Sequence, residues 1–98
     1  MEFLADMRTF VPDGTPNAEV GDTKRREAAR ARELAAQGHL LRLWKPLVEP
    51  GEWRTIGLWR ADNEMALQAL LTTLPLHPWM KVDLTPLAPH PNDPGSPT

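Results

Sequence analysis

The sequence contains no cysteine, which excludes disulfide bonds, thiolate nucleophiles and zinc–thiolate sites. It also has little net charge, because 11 basic residues against 13 acidic ones leave a formal charge of −2. A balance of this kind produces no field that would recruit nucleic acid or an anionic membrane. These absences describe a small protein that works without thiol chemistry and without a polyanionic partner.

A long apolar run is absent as well. No segment approaches the roughly 20 apolar residues of a membrane span. The opening MEFLADMRTF has an acid at position 2 and no apolar core of signal-peptide length. We therefore expect a cytoplasmic protein that does not enter a membrane. Its 98 residues suffice for one domain with one two-layer core.

The sequence shows no grouping typical of a metal site or a nucleic-acid site. His39, His77 and His90 are scattered without the spacing of metal ligands, so we expect no metal site. The basic run at 24–26 continues with further arginines, but acids at positions 27 and 33 interrupt it. A solvated helix face explains this run better than a nucleic-acid site does.

The spacing of apolar residues predicts six elements in the order strand, helix, strand, strand, helix, strand. Asn17 is expected to cap the first helix and Gly38 to follow its end, while Asp62 or Asn63 caps the second helix. The Pro-Gly pair at 50–51 predicts a hairpin turn. The strands are predicted at 2–10, 39–45, 52–60 and 79–84, and the helices at 17–37 and 63–74.

This βαββαβ order is typical of an α+β, ferredoxin-like fold, in which two helices pack on one face of a four-stranded antiparallel sheet. We expect one such domain over residues 1–87 and a proline-rich tail at 88–98. The other sheet face keeps apolar residues, and a second subunit laid face to face would cover them. These residues are Leu4, Phe10, Ile56 and Leu58. We therefore expect a homo-oligomer built from dimeric α+β barrels, with the tail across a neighbouring subunit.

Glu27 is the unusual residue of the first helix. At about 100° per residue, Val20 and Leu34 lie within roughly 20° of it on the helix, and Ala31 lies about 40° away. The carboxylate is therefore predicted in the middle of the stripe that faces the core. Apolar surroundings raise the pKa of a carboxyl, which suits a general base near neutral pH.

A second interpretation of Glu27 stays open from the residues alone. Glu27 would then be the ion-pair partner of Lys24, Arg30 or Arg42 in a partly wet groove. In that case the pKa of Glu27 would be normal or low, and the residue would have a structural role.

The segments RREAARARELAAQGHLLRLWK and LPLHPWMKVDLTPLAPHP resemble the muconolactone isomerase family. The resemblance rests on the order and spacing of several small motifs. These are an acid on a charged first helix, a glycine at its end, a Leu-Trp-Lys strand, a Leu-Pro-Leu-His-Pro-Trp turn and a closing His-Pro. In this chain they are Glu27, Gly38, residues 43–45, residues 74–79 and residues 90–91.

The resemblance implies an oligomer, decameric in the family, and a cofactor-free isomerase of aromatic-compound degradation in the beta-ketoadipate pathway. The family reaction shifts a proton from C4 to C2 of an unsaturated lactone and turns muconolactone into 3-oxoadipate enol-lactone. The resemblance also implies that Glu27 is the general acid–base. A close branch of the family instead dehalogenates chlorinated muconolactones and starts with a similar carboxylate-assisted step.

Several residue types suit the binding of a flat, anionic lactone. Cationic side chains can bind its carbonyl or carboxymethyl group, indole rings can wall an apolar pocket, and a hydroxyl can donate a hydrogen bond. Each of these residues also has a purely structural interpretation, as a solvated charge or as part of the core or an interface. The predicted substrate-binding residues are Arg42, Trp44, Lys45, Trp53 and Thr55, with Trp59 as a further indole.

The chain departs from the family pattern around the predicted pocket. The connection before the third strand is longer, a Trp-Arg pair is replaced at 40–41, and Lys45 stands in place of an arginine. Residues 53–55 occupy the positions of a family Tyr-Ala-Asn. Three hypotheses therefore remain: a muconolactone isomerase, a related enzyme of another lactone such as a dehalogenase, or a non-catalytic oligomeric binding protein.

Overall fold

A computed structural model describes residues 1–95 and shows the predicted α+β architecture. The four strands form one antiparallel sheet in the order β2-β3-β1-β4. The ferredoxin-like fold is therefore confirmed. In chain order the elements are β1 (Glu2–Thr9), α1 (Asn17–Ala36), β2 (Leu40–Trp44), β3 (Arg54–Arg60), α2 (Glu64–Leu71), a 3-10 turn (His77–Trp79) and β4 (Met80–Leu87).

The core lies between the helices and one face of the sheet. Alternation in β1 directs Phe3, Ala5 and Met7 into this core. Trp59 of β3 and Leu34 of α1 are also fully buried there. Leu67 and Leu71 of α2 and the following Leu74 complete the helix side. Helices thus cover one sheet face, while residues 1–95 leave the other face uncovered.

The end of α1 is a Schellman motif, which fixes where β2 begins. Gly38 has a φ of 83°, the left-handed conformation that glycine adopts without strain. The N–H of Gly38 donates to the carbonyl of Ala35 at 3.1 Å, and the N–H of His39 donates to that of Leu34 at 2.9 Å. The prediction of Gly38 as the residue after the helix is confirmed.

The start of α1 differs from the prediction. Asn17 is the first helical residue rather than the cap, and Pro16 precedes it in an extended conformation without a side-chain cap. The fixed φ of proline suits the extended residue before a helix, so the helix starts one residue earlier than a cap at Asn17 implies and lacks a capping side chain. In α2, by contrast, Asn63 is confirmed as the cap and accepts a hydrogen bond from the N–H of Ala66 at 2.8 Å.

The last strand is longer than expected. β4 begins at Met80, after the 3-10 turn, and continues through Pro86 to Leu87, where it pairs with Glu2. The predicted end of this strand at residue 84 was therefore three residues too early. β4 is an edge strand, and an edge can accommodate a residue without an N–H. The last three residues of the predicted tail, 96–98, lie outside the described residues.

Neither helix resolved between residues 1 and 95 combines the length and the apolar character needed to cross a membrane.

Candidate active site

A cavity of about 230 Å³ lies between α1 and the helix-facing side of the sheet. Apolar side chains from all four strands, α1 and the segment after α2 form most of its wall, among them Met7, Ala31, Leu40, Leu74 and Met80. The residues with polar side-chain groups in the wall are few: Thr9, Lys24, Glu27, Trp53, Thr55 and Trp59. A largely apolar cavity with a few convergent polar groups is the usual form of a small-molecule site.

Glu27 brings a carboxylate into this cavity from α1. One of its oxygens, Oε1, accepts a hydrogen bond of 2.9 Å from the backbone N–H of Leu76. Burial raises the pKa of the Glu27 carboxyl, and the hydrogen bond from Leu76 lowers it by a smaller amount. The net direction is upward, so the cavity holds an acid whose proton is retained to a higher pH than in water.

The cations that were considered as partners of Glu27 have other contacts. Arg30 binds Glu33 at 3.1 Å and also donates to the hydroxyl of Thr73. Within residues 1–95, no lysine, arginine or histidine lies within ion-pair distance of Glu27. The ion-pair interpretation of Glu27 therefore has no support in the described contacts.

Lys24 lies one helical turn before Glu27 and also lines the cavity. Its ammonium nitrogen is 4.8 Å from the centre of the Trp53 ring, a cation–π contact. The charge of Lys24 is thus attached to the cavity wall through an aromatic face and leaves the Glu27 carboxylate unpaired. An anion in the cavity would find this ammonium group without a carboxylate partner.

The helix-facing side of β3 supplies one wall as a row of alternate residues. Trp53, just before the strand, is followed by Thr55, Gly57 and Trp59 on the same face. Trp53 and Thr55, two predicted substrate-binding residues, therefore lie in the cavity wall together with Glu27. Their contact with a substrate stays a prediction.

The other three predicted substrate-binding residues, Arg42, Trp44 and Lys45, lie outside the cavity wall. A β-bulge between Leu40 and Arg42 adds one residue to β2, so Arg42 pairs opposite Leu58 and Trp44 opposite Ile56. Arg42 and Trp44 therefore share the uncovered sheet face, where the Arg42 guanidinium lies 5.1 Å from the Trp44 ring. Lys45 is exposed just beyond the strand. Within one chain none of the three lines the cavity, and their role in substrate binding remains untested.

Two contributors to the cavity were missed from the sequence. Lys24 was considered only as a partner of Glu27, although its position three residues earlier places it on a neighbouring part of the same helix face. The backbone N–H of Leu76 could not be assigned at all, because the Leu-Pro-Leu turn that presents it has no regular periodicity. A cluster of three or more acidic or histidine residues suited to a metal ion is not found among residues 1–95.

A protonatable carboxyl in an apolar cavity, inside a ferredoxin-like domain, is a suitable arrangement for taking a proton from carbon and returning it. The chain matches the family model for muconolactone delta-isomerase over residues 1–93. It belongs to the muconolactone delta-isomerase family, which is a family of isomerases.

Relatives and a solved structure agree with this assignment. The muconolactone delta-isomerase of Cupriavidus pinatubonensis is 35% identical over 92 residues, which cover 94% of this chain and 97% of that protein. Muconolactone delta-isomerase 1 of Acinetobacter lwoffii is 30% identical, with coverage of 94% and 93%. A crystal structure of muconolactone isomerase superposes with a TM-score of 0.85 at 26% identity, covering 99% of this chain and 98% of the other.

Proposed function

We propose that this protein moves a proton within an unsaturated lactone, muconolactone or a close analogue, without a cofactor, and that Glu27 carries the proton. The observation that supports this most directly is the unpaired Glu27 carboxyl, whose pKa burial raises inside the apolar cavity. Relatives named muconolactone delta-isomerase support the choice of substrate.

The proposed reaction uses one group twice. The Glu27 carboxylate takes the proton from C4 of the lactone, and the electron pair of that C–H bond moves through the ring double bond to the lactone carbonyl oxygen. The protonated carboxyl then returns a proton to C2, and the double bond finishes one position along the ring. No atom or electron is gained or lost, so the chemistry needs no oxidant. A pKa raised towards neutrality favours both halves of this exchange.

Lys24 is the proposed anchor for the substrate's carboxymethyl group. Its ammonium group lines the cavity and has no carboxylate partner among the described residues, so a ligand anion does not have to displace an existing ion pair. The Trp53 ring beneath Lys24 is a flat apolar surface suited to the lactone ring, and the Thr55 hydroxyl is a nearby donor.

We also propose that the uncovered sheet face binds a second copy of this chain. Leu4, Ile56 and Leu58 are half-buried on this face, and Trp44 is 41% exposed. The charges at its centre neutralise each other, because Arg54 donates two hydrogen bonds to Asp6, at 2.9 and 2.6 Å. A partner would therefore bury apolar surface around an ion pair that is already neutral, while Arg42 and Asp83 on the same face remain available for charged contacts with the other copy. Arg42 lies on the same face, where it could contact the second copy. Light scattering of the purified protein would measure the size of the assembly.

The test of the proposed reaction is an exchange experiment. The purified protein is mixed with muconolactone in D2O, and the ring protons are followed by NMR beside the Glu27→Gln variant. Wild-type protein is expected to form enol-lactone, with deuterium at C2 to the extent that the carried proton exchanges with solvent before its return, and Glu27→Gln is expected to form no product. Glu33→Gln is the matched control, since Glu33 is on the same helix but binds Arg30 in solvent.

Other outcomes would redirect the proposal. Turnover of a substituted or chlorinated lactone without turnover of muconolactone would assign the cavity to a related substrate. Equal exchange by wild-type and Glu27→Gln protein would remove Glu27 from the mechanism. If neither product nor deuterium uptake is seen with any lactone, the result would favour a binding protein on an inherited scaffold.

A further inference from the structure

The indole N–H of Trp59 is an unexplained donor in the wall of the cavity. Trp59 is 1% exposed, and within residues 1–95 its Nε1 is the buried side-chain polar atom that lacks a hydrogen-bond partner. Folded proteins rarely leave such a group unpaired, because its contact with water is lost and nothing replaces it. A donor of this kind beside a ligand cavity is therefore a candidate for a contact with the ligand.

The position of the N–H follows from Gly57. A Cβ atom at Gly57 would lie only 2.5 Å from Trp59 Nε1 and 3.2 Å from Trp59 Cδ1. The N–H edge of the indole therefore occupies the space that a side chain at residue 57 would take. Because Gly57 lies between Thr55 and Trp59 along the strand, this edge lies over the strand between two residues of the cavity wall.

Leu43 is the neighbour that limits access to this edge. One of its methyl groups, Cδ2, would lie 3.2 Å from the same Cβ position, so it covers the indole edge from the side of β2. Leu43 is 47% exposed and lines the cavity, and such a side chain can change rotamer to admit a ligand atom.

We propose that the Trp59 indole N–H donates a hydrogen bond to the carbonyl oxygen of the bound lactone ring. This inference rests on the proposed function, because that oxygen is where negative charge develops when the C4 proton leaves. A donor fixed in advance within a water-poor cavity stabilises such a charge. Glu27 and Trp59 would then act on the same substrate from different walls, the first on the ring carbon and the second on the carbonyl oxygen.

The direct test is NMR of the indole N–H groups. The four tryptophans give one indole signal each, and the signals of Trp59 and Trp79 are assigned with Trp59→Phe and Trp79→Phe. The probe is the saturated analogue of muconolactone, which keeps both oxygen groups but lacks the double bond that the reaction moves. We expect the Trp59 proton to shift downfield and to exchange more slowly when the analogue binds. A Trp59 signal that stays in place at saturating analogue, whatever the other signals do, overturns the inference.

Two variants supply an independent readout. Trp59→Phe keeps an aromatic ring and removes the donor, and we expect it to lower kcat/KM by about 10- to 100-fold. Because Trp59 is fully buried and phenylalanine fills less of that space, circular dichroism must verify that both variants are folded under the assay conditions. Trp79 is outside the cavity wall, so Trp79→Phe controls for the general effect of replacing an indole.

The proposed lactone isomerisation and the proposed hydrogen bond from Trp59 can fail separately. Normal lactone turnover with equal kinetics in Trp59→Phe and Trp79→Phe would overturn the role of Trp59 and leave the proposed reaction intact. A Trp59 signal that responds to the analogue, in a protein that turns over no lactone, would support the donor and reject the reaction.

Discussion

The two faces of the sheet each hold a half-buried carboxylate, and the two carboxylates have opposite surroundings. On the uncovered face, two hydrogen bonds from Arg54 hold the pKa of Asp6 below its ordinary value. In the cavity, burial without a cation raises the pKa of Glu27. The comparison shows that a cation partner, rather than burial alone, decides whether a carboxyl here is a fixed charge or an exchangeable proton.

The largest expected effect comes from making the same chemical change on both faces. Glu27→Gln should lower kcat by about 10²- to 10⁴-fold, since a positioned acid–base group contributes that much. Asp6→Asn should keep wild-type kcat, because Asp6 lies on the other side of the sheet. Steady-state kinetics on both variants, with circular dichroism to verify folding, checks this. Similar losses in the two variants would contradict the separate roles of the faces.

A methyl group added on the cavity face should have the next largest effect. Gly57→Ala places a Cβ 2.5 Å from the Trp59 ring, and overpacking of this kind costs about 1–3 kcal/mol. Urea unfolding measures the loss. Gly21→Ala is the control, because Gly21 is within α1 and the nearest atom to a new Cβ is the flexible Arg25 at 3.6 Å. That change should stabilise by about 0.5–1 kcal/mol, and a Gly57→Ala protein of wild-type stability would refute the tight packing.

Removal of the cavity cation should affect binding rather than chemistry. Lys24→Met is expected to raise KM by about 10-fold, equivalent to about 1.4 kcal/mol, with little change in kcat. Arg25→Met removes the same charge from the same helix, but its side chain is 74% exposed and lies outside the cavity wall. Comparable increases in KM for the two variants would show that only the overall charge matters.

The smallest effect, and the one that sharpens the comparison most, is the dependence of stability on pH. The folded protein binds the Glu27 proton more tightly than the unfolded chain does. Stability from this group is therefore present below the ordinary glutamate pKa and is lost as the pH rises through the higher pKa of the folded state. For Asp6 the sign is opposite, and stability is lost as the pH falls from the ordinary aspartate pKa through the lower folded value.

Unfolding measured from acid to neutral pH tests these signs. Relative to wild type, Glu27→Gln should become more stable as the pH rises from the unfolded-state pKa of Glu27 through its folded-state pKa. Asp6→Asn should be less stable than wild type at neutral pH, and this difference should disappear as the pH falls through the folded-state pKa of Asp6. In a plot of kcat/KM against pH, the rise in activity should have its midpoint above the ordinary glutamate pKa, because the proposed reaction needs the carboxylate. Parallel pH profiles for the two variants would contradict the opposite shifts.

The position of Glu27 was predictable because the 3.6-residue period holds along α1. Thr23 and Leu34, on the same helical stripe, are buried as that period requires. The row of alternate residues on β3 was predictable for the same reason, since the strand has no irregularity between residues 54 and 60. Strict periodicity thus made the faces of Glu27, Trp53 and Thr55 predictable, and all three line the same cavity.

Arg42 and Trp44 show where periodicity stops being informative. Counting by two from Leu40 places all three side chains on the core face, but the bulge after Leu40 reverses the side for the two later residues. The local sequence Leu-Leu-Arg-Leu-Trp has apolar residues at both parities, so hydrophobicity does not indicate the bulge. The reversal is visible only once β2 is paired with β3.

The same bulge and the late proline of β4 have a joint consequence for how the sheet can grow. β2 and β4 are the two edge strands, and each carries a device that hinders the addition of a further strand. The bulge interrupts the ladder of β2, and Pro86 lacks the N–H that an incoming strand would require. Edge-to-edge polymerisation is therefore disfavoured at both margins, which is compatible with the proposed contact through the broad face of the sheet.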